Sequence, residues 1–165
     1  MIIDGFDKVT LLDYPGHIAA IIFTRGCNFA CSYCQNSSLI KCNKSKGLID
    51  SEDVLKYLDS RKKMIEGLVI SGGEPTIQKG LKDFIKQVKS LGMKVKLDTN
   101  GSNPKVLKEL IDENLLDYVA MDIKNDLEDY EVVTKCKVNI KSIKESIEIL
   151  KNSNIDYEFR TTTMK

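Results

Sequence analysis

Three of the five cysteines, Cys27, Cys31 and Cys34, are spaced by three residues and then by two. Thiolates bind soft metals, and three of them on one short loop after a strand suit an iron–sulfur cluster. A four-iron cubane normally takes four protein thiolates. Three leave one iron open to a small molecule, as catalytic metal sites keep an open position that structural sites close. Structural zinc and incidental thiols are the other readings of these residues. Zinc favours four ligands, often in two Cys-x-x-Cys pairs. This sequence has one such pair, Cys31 and Cys34, and a single histidine, His17. A disulfide framework belongs to secreted chains, and no secretory segment is read here.

The spacing also carries a resemblance. Cys-x-x-x-Cys-x-aromatic-Cys, with Tyr33 in the aromatic place, is similar to the signature of radical S-adenosylmethionine (SAM) enzymes. The run from Gly5 to Gly16 and the segment Gly26-Cys27-Asn28-Phe29 narrow it. Together they resemble the activating proteins of glycyl-radical enzymes, above all that of anaerobic ribonucleoside-triphosphate reductase, and more broadly the pyruvate formate-lyase activating enzymes. The family often reads Tyr-Cys-His-Asn, where this chain has Tyr33-Cys34-Gln35-Asn36. Gln35 is not a ligand in that scheme, so the three thiolates remain the expected cluster ligands.

The elements around the loop must position it. A chain of 165 residues makes one domain, 1–165, and buries about 70 % of its unfolded surface. The formal charge of +1 argues against a broad nucleic-acid footprint. The apolar run Ile18–Phe23 is far too short to span a bilayer. A cytoplasmic location without membrane or nucleic-acid partners is expected.

Residues 2–16 read as two short extended pieces around a turn that ends at Tyr14-Pro15-Gly16. The run Ile18–Phe23 reads as a strand covered on both faces. Further strands are expected at Gly67–Ile70, around Val95 and Leu97, at Tyr118–Met121 and at Asp156–Thr163. Between them lie helices. One is capped by Asp50 or Ser51; a second, capped by Thr76, carries Leu81, Phe84, Ile85 and Val88. A third has Pro104 at its first position, and a fourth is capped by Asn139. Lys141 with Glu145 and Lys144 with Glu148 should form a solvated face. Residues 125–138 read as irregular. Alternating strands and helices predict parallel strands with crossover helices, an α/β partial (β/α) barrel.

In such barrels the chemistry sits at the C-terminal ends of the strands. The cysteine loop, Ser71–Pro75, Asp98–Gly101 and Asp122–Lys124 all fall there. Gly72 and Gly73 alone read as a tight turn; with Glu74 and Pro75 they complete the Gly-Gly-Glu-Pro pattern that the resemblance assigns to the amino group of SAM. Asp98, Thr99 and Asn100 alone read as an Asx-type turn, and Asp122 with Lys124 as an ion pair. The resemblance instead turns them towards SAM, with Lys124 at its carboxylate, and implies a monovalent cation near Asp98, Asp122 and Thr99. Hard oxygens suit a hard cation. Arg160 is a weaker candidate, and Cys42 and Cys136 have no expected role.

The resemblance implies a radical SAM activase. A reduced [4Fe–4S] cluster on Cys27, Cys31 and Cys34 would cleave SAM to methionine and a 5′-deoxyadenosyl radical. That radical would take a hydrogen from a glycine of a partner glycyl-radical enzyme. A strongly reducing cluster is required, with roughly −400 mV the plant-type ferredoxin scale, so a flavodoxin or ferredoxin donor is implied. Another radical SAM reaction, another glycyl-radical partner such as pyruvate formate-lyase, and a non-catalytic electron-transfer module are the alternatives. The family's barrel has six strands and a later Gly-x-His segment that meets SAM. The five strands counted here after the N-terminal extension lead us to expect a barrel truncated after the fifth, weak SAM binding and association through an open edge.

The spacing alone generates one test. Anaerobically reconstituted protein should show cluster absorption. Replacing Cys27, Cys31 or Cys34 by Ala should abolish normal iron incorporation, and Cys42→Ala and Cys136→Ala should leave it intact. Equal loss from Cys136→Ala would overturn the ligand assignment.

Overall fold

The computed structural model describes residues 1–40 and 48–162. A single six-stranded sheet runs in chain order: β1 (Ile3–Thr10), β2 (Ala19–Thr24), β3 (Gly67–Gly72), β4 (Lys94–Thr99), β5 (Tyr118–Asp122) and β6 (Asp156–Arg160). The last five strands pair in parallel, as expected. The N-terminal stretch differs from the sequence reading. It forms one long strand rather than two pieces, and it pairs antiparallel with β2 from Ile3↔Thr24 to Thr10↔Ala19, with register shifts between Ile3 and Gly5 and between Asp7 and Thr10. The turn through Pro15 and Gly16 makes the reversal, with Gly16 at φ 76. β1 thereby covers the outer edge of the parallel set, while β6 forms the other edge.

Among the described residues, four of the five α-helices bridge successive strands: α1 (Ser51–Arg61), α2 (Leu81–Ser90), α3 (Pro104–Asp112) and α5 (Ile140–Lys151). Asp50 caps α1 by accepting from Glu52 N–H, and Asn139 caps α5 by accepting from Lys141 N–H. Thr76 does not cap α2. It lies in a short 3₁₀ turn, Pro75–Ile77, and α2 begins only after Gly80, at φ 81. The proline and the buried partners of Glu74 hold that turn, so the helix starts four residues later than the cap signal suggests. Residues 125–138, read as irregular, contain a one-turn helix α4 (Tyr130–Thr134). On α5, Glu148 pairs with Lys151 at 3.1 Å. Cys42 lies outside the described residues.

The two faces of the sheet differ. Ile22, Leu68, Ile70, Leu97, Val119 and Met121 face the helices and are fully buried with Leu58, Ile85, Leu107 and Leu150. The opposite face carries a small apolar floor of Tyr14, Ala19, Ile21 and Val69. Period-two alternation sends neighbours such as Val69 and Ile70 to opposite sides, which is why these strands read as unbroken apolar runs. Among the described residues no helix is long and apolar enough to cross a membrane.

Leu68 is wholly buried and Leu12 is 92 % exposed. Leu68→Ala should cost about 2–5 kcal/mol of stability and Leu12→Ala less than about 0.5 kcal/mol, read by urea unfolding.

Candidate active site

The strand ends β2 to β6 open onto one cavity of about 530 Å³. Cys27, Cys31, Tyr33 and Cys34 form one wall; Gly72 and Gly73 follow from β3; Asp98, Thr99 and Asn100 come from β4. Asp122 and Lys124 line it from β5, and Arg160 from β6. Among the expected site residues Glu74 alone does not face it.

Glu74 is completely buried and turned into the protein. Its Oε1 accepts from Thr76 N–H at 3.0 Å and from the hydroxyls of Thr76 and Thr99 at 2.5 and 2.7 Å. Its Oε2 accepts from Asn100 N–H at 2.7 Å. Burial pushes its pKa up, and these four donors pull against that. Glu74 therefore binds the end of β3 to the end of β4.

The two glycines before it serve close approach. Gly73 N–H donates to Thr24 O, and Glu74 N–H to Gly26 O, both at 2.8 Å. A Cβ on Gly73 would sit 2.0 Å from Gly26 O, and one on Gly72 2.2 Å from Thr24 N. Any side chain there would push the cysteine loop away from β3. The loop is held from its other side by α4: Ala30 N–H donates to Thr134 O at 2.9 Å and Ser32 N–H to Val133 O at 3.1 Å. Cys136, distant in sequence, lies against the loop, its thiol 3.5 Å from Asn28 O.

Burial pushes the Cys27 thiol up to about 11, against a 3.4 Å hydrogen bond from Phe29 N–H. Cys31 is also raised by burial, opposed by Lys124. A thiolate at these positions needs a cation beside it, which bound iron supplies. Among the described residues no three His, Cys, Asp or Glu side chains stand close enough to hold a single metal ion. A cubane does not require that, because each thiolate takes a different iron. Three thiols on one cavity wall fit a cluster.

Lys124 is fixed through its backbone. Tyr33 Oη donates to Lys124 O at 3.1 Å, and Tyr130 Oη accepts from Lys124 N–H at 3.2 Å. Its Nζ donates to Asp122 Oδ2 at 2.8 Å. Burial lowers the lysine's pKa, but Asp122 outweighs that and holds it above the usual range. Lys96, 1 % exposed, donates to Asp98 Oδ1 at 2.7 Å, and Arg160 Nε donates to Asp122 Oδ1 at 3.0 Å.

The modest sequence readings of these strand ends are seen directly. Asn100 Oδ1 accepts from Ser102 N–H at 2.9 Å, an Asx turn, and Asp122 with Lys124 is an ion pair. Sequence reasoning missed Asn28, whose Oδ1 accepts from Asn100 Nδ2 at 2.9 Å, and Tyr130, because tertiary packing alone brings them in. Lys96 had a readable signal: it lies two residues before Asp98 and so shares its face.

The profile of the Radical SAM superfamily matches residues 21–165. The chain is 36 % identical over 166 residues to a Methanocaldococcus jannaschii protein named as a glycyl-radical enzyme activating enzyme, covering 98 % of this chain and 68 % of that one. It is 32 % identical over 138 residues to the pyruvate formate-lyase-activating enzyme of Clostridium pasteurianum, covering 80 % and 56 %. With a GTP 3′,8-cyclase of Helicobacter pylori it shares 26 % identity over 168 residues, covering 100 % and 50 %. The chain thus spans 50 % to 68 % of the length of these curated relatives. Two solved structures share the fold. QueE from Escherichia coli has a TM-score of 0.56 at 16 % identity, covering 98 % of this chain and 84 % of that one. The structure of anSMEcpe with bound AdoMet has a TM-score of 0.62 at 22 % identity, covering 81 % and 41 %.

The Glu74 clamp generates a test. In Glu74→Gln the amide NH₂ meets a donor where an acceptor is needed, and stability should fall by about 1–3 kcal/mol. The exposed control Glu128→Gln should change it by less than about 0.5 kcal/mol in the same unfolding titration.

Proposed function

The chain belongs to the Radical SAM superfamily, and on that premise we propose that it activates a glycyl-radical enzyme. Membership makes it a radical SAM enzyme and implies a [4Fe–4S] cluster and SAM. The observation that carries a radical SAM site on this chain is the common cavity, about 530 Å³, with three thiols on one wall and the ends of β3 to β6 around the rest. The relatives named for glycyl-radical activation and for pyruvate formate-lyase activation support the finer reading.

Cys27, Cys31 and Cys34 would hold the cluster. When bound, the cluster supplies one electron at low potential to SAM. The protein's part is orientation and charge. The backbone at Gly72 and Gly73 and the side chains of Thr99 and Asn100 border the cavity beside Cys27. Lys124 and Arg160 present positive charge suited to the carboxylate of an amino acid. Tyr33 ties the cysteine loop to Lys124, so the residues that hold the cluster and those that meet the ligand move as one unit. Glu74 acts behind this wall as a positioning residue.

We assign anaerobic ribonucleoside-triphosphate reductase as the partner class, with flavodoxin or ferredoxin as electron donor. The cyclase relative, which matches the whole chain, favours a second reading in which a small molecule takes the place of the protein substrate.

The test is anaerobic. Reconstituted protein with a chemical reductant and SAM should release 5′-deoxyadenosine, and adding the candidate reductase should produce a glycyl-radical signal in electron paramagnetic resonance. Cleavage of SAM without any radical on glycyl-radical enzymes would exclude the activase reading. No cleavage at all would exclude radical SAM chemistry for this chain.

A further inference from the structure

Arg160 stands between the two carboxylates for which a monovalent cation was expected. The pairing of β5 with β6 puts it directly opposite Asp122. Its Nε donates to Asp122 Oδ1 at 3.0 Å, and its Nη2 lies 3.6 Å from Asp98 Oδ2. The other oxygen of each acid is also engaged, by Lys96 Nζ at 2.7 Å on Asp98 and by Lys124 Nζ at 2.8 Å on Asp122. The Thr99 hydroxyl, the remaining expected ligand, donates to Glu74 and accepts from Gly101 N–H at 3.1 Å.

The groups form a row of alternating sign: Lys96, Asp98, Arg160, Asp122, Lys124. Within the row two negative charges are set against three positive ones, and Glu158, two residues before Arg160, acts on it as a further acid. A metal cation entering here adds a fourth positive charge or expels a side chain. Lys96 and Asp98 are 1 % and 13 % exposed, so water screens that end of the row weakly, whereas Asp122 and Arg160 at the other end are 33 % and 39 % exposed. A planar guanidinium can address two acids at once, is more weakly hydrated than an ammonium and, being tethered to the chain, cannot dissociate. Burial alone would lower the pKa of Arg160; Asp98 and Asp122 outweigh it and hold the group charged.

We propose that the Arg160 guanidinium is the resident cation of this site, bridging Asp98 and Asp122 in place of a bound potassium or sodium ion. The donor set does not fit a metal ion while Arg160 is there. The inference concerns the chain's own ion balance and stands whatever the cavity binds, so its test reads the protein without SAM.

Thermal unfolding is compared in potassium, sodium and tetramethylammonium chloride at equal ionic strength. The native chain should melt at the same temperature in all three. Arg160→Met leaves the two acids with the two lysines only and opens the bridging position. Potassium should then raise its melting temperature by about 5 °C over tetramethylammonium, while Arg160→Lys should show a smaller gain. Thallium(I) NMR adds a direct readout, with no bound line on the native chain and a bound line on Arg160→Met. A saturable rise of the native melting temperature with potassium or sodium, or a bound thallium line on the native chain, overturns the proposal. So does an Arg160→Met protein that folds and ignores potassium. Should that variant not fold, the thallium result on the native chain decides alone.

Discussion

A carboxylate with no water around it must find donors inside the protein, and Glu74 finds four. They come from the turn after β3 and from the end of β4, so the distance between those two strand ends is set by hydrogen-bond lengths. Once β3 is anchored to β4, its glycine pair lies flat on Thr24 and Gly26, and the cysteine loop starts from a defined place. The residue that organises the cavity is thus not in its wall. Its charge favours four donors that would otherwise point elsewhere, at the desolvation cost that raises its own pKa.

One face of the sheet is apolar at Ile21 and Val69 and turns polar towards the strand ends, where Asp98 lines the cavity and the buried Lys96 donates to it from behind. Lys96 Nζ lies 5.7 Å from the centre of the Tyr118 ring, a cation–π contact. Fixed dipoles and paired charges of this kind need no reorganisation when a charged ligand enters.

Much of this was legible in the sequence because it depends on local pattern. Unbroken apolar runs marked the parallel strands, and the position of Gly72, Asp98 and Asp122 just at strand ends marked the rim. The antiparallel pairing of β1 was not legible, since its polar and apolar residues suit either an edge strand or two short pieces. Nor was the true direction of Glu74. The Gly-Gly-Glu-Pro pattern places the residue but does not say which way a carboxylate turns; the buried hydroxyls of Thr76 and Thr99 decide that. Cys136 shows the same limit, as nothing local tells a thiol at a polar loop that it will rest against Asn28.

The contacts between α4 and the cysteine loop bear on how the protein is made. Cys136 and Asn28 are 108 residues apart in the chain, and the bonds from Thr134 and Val133 to the loop span a similar distance. Cysteines that leave the ribosome early therefore wait for a helix that leaves it late. Such non-local closure is among the slowest steps in assembly, because chain entropy is spent before the contact forms. Until then the three thiols sit on a loop with one side unsupported, open to stray metals and oxidants. A cluster on these thiols would therefore be assembled after translation, on a nearly finished fold.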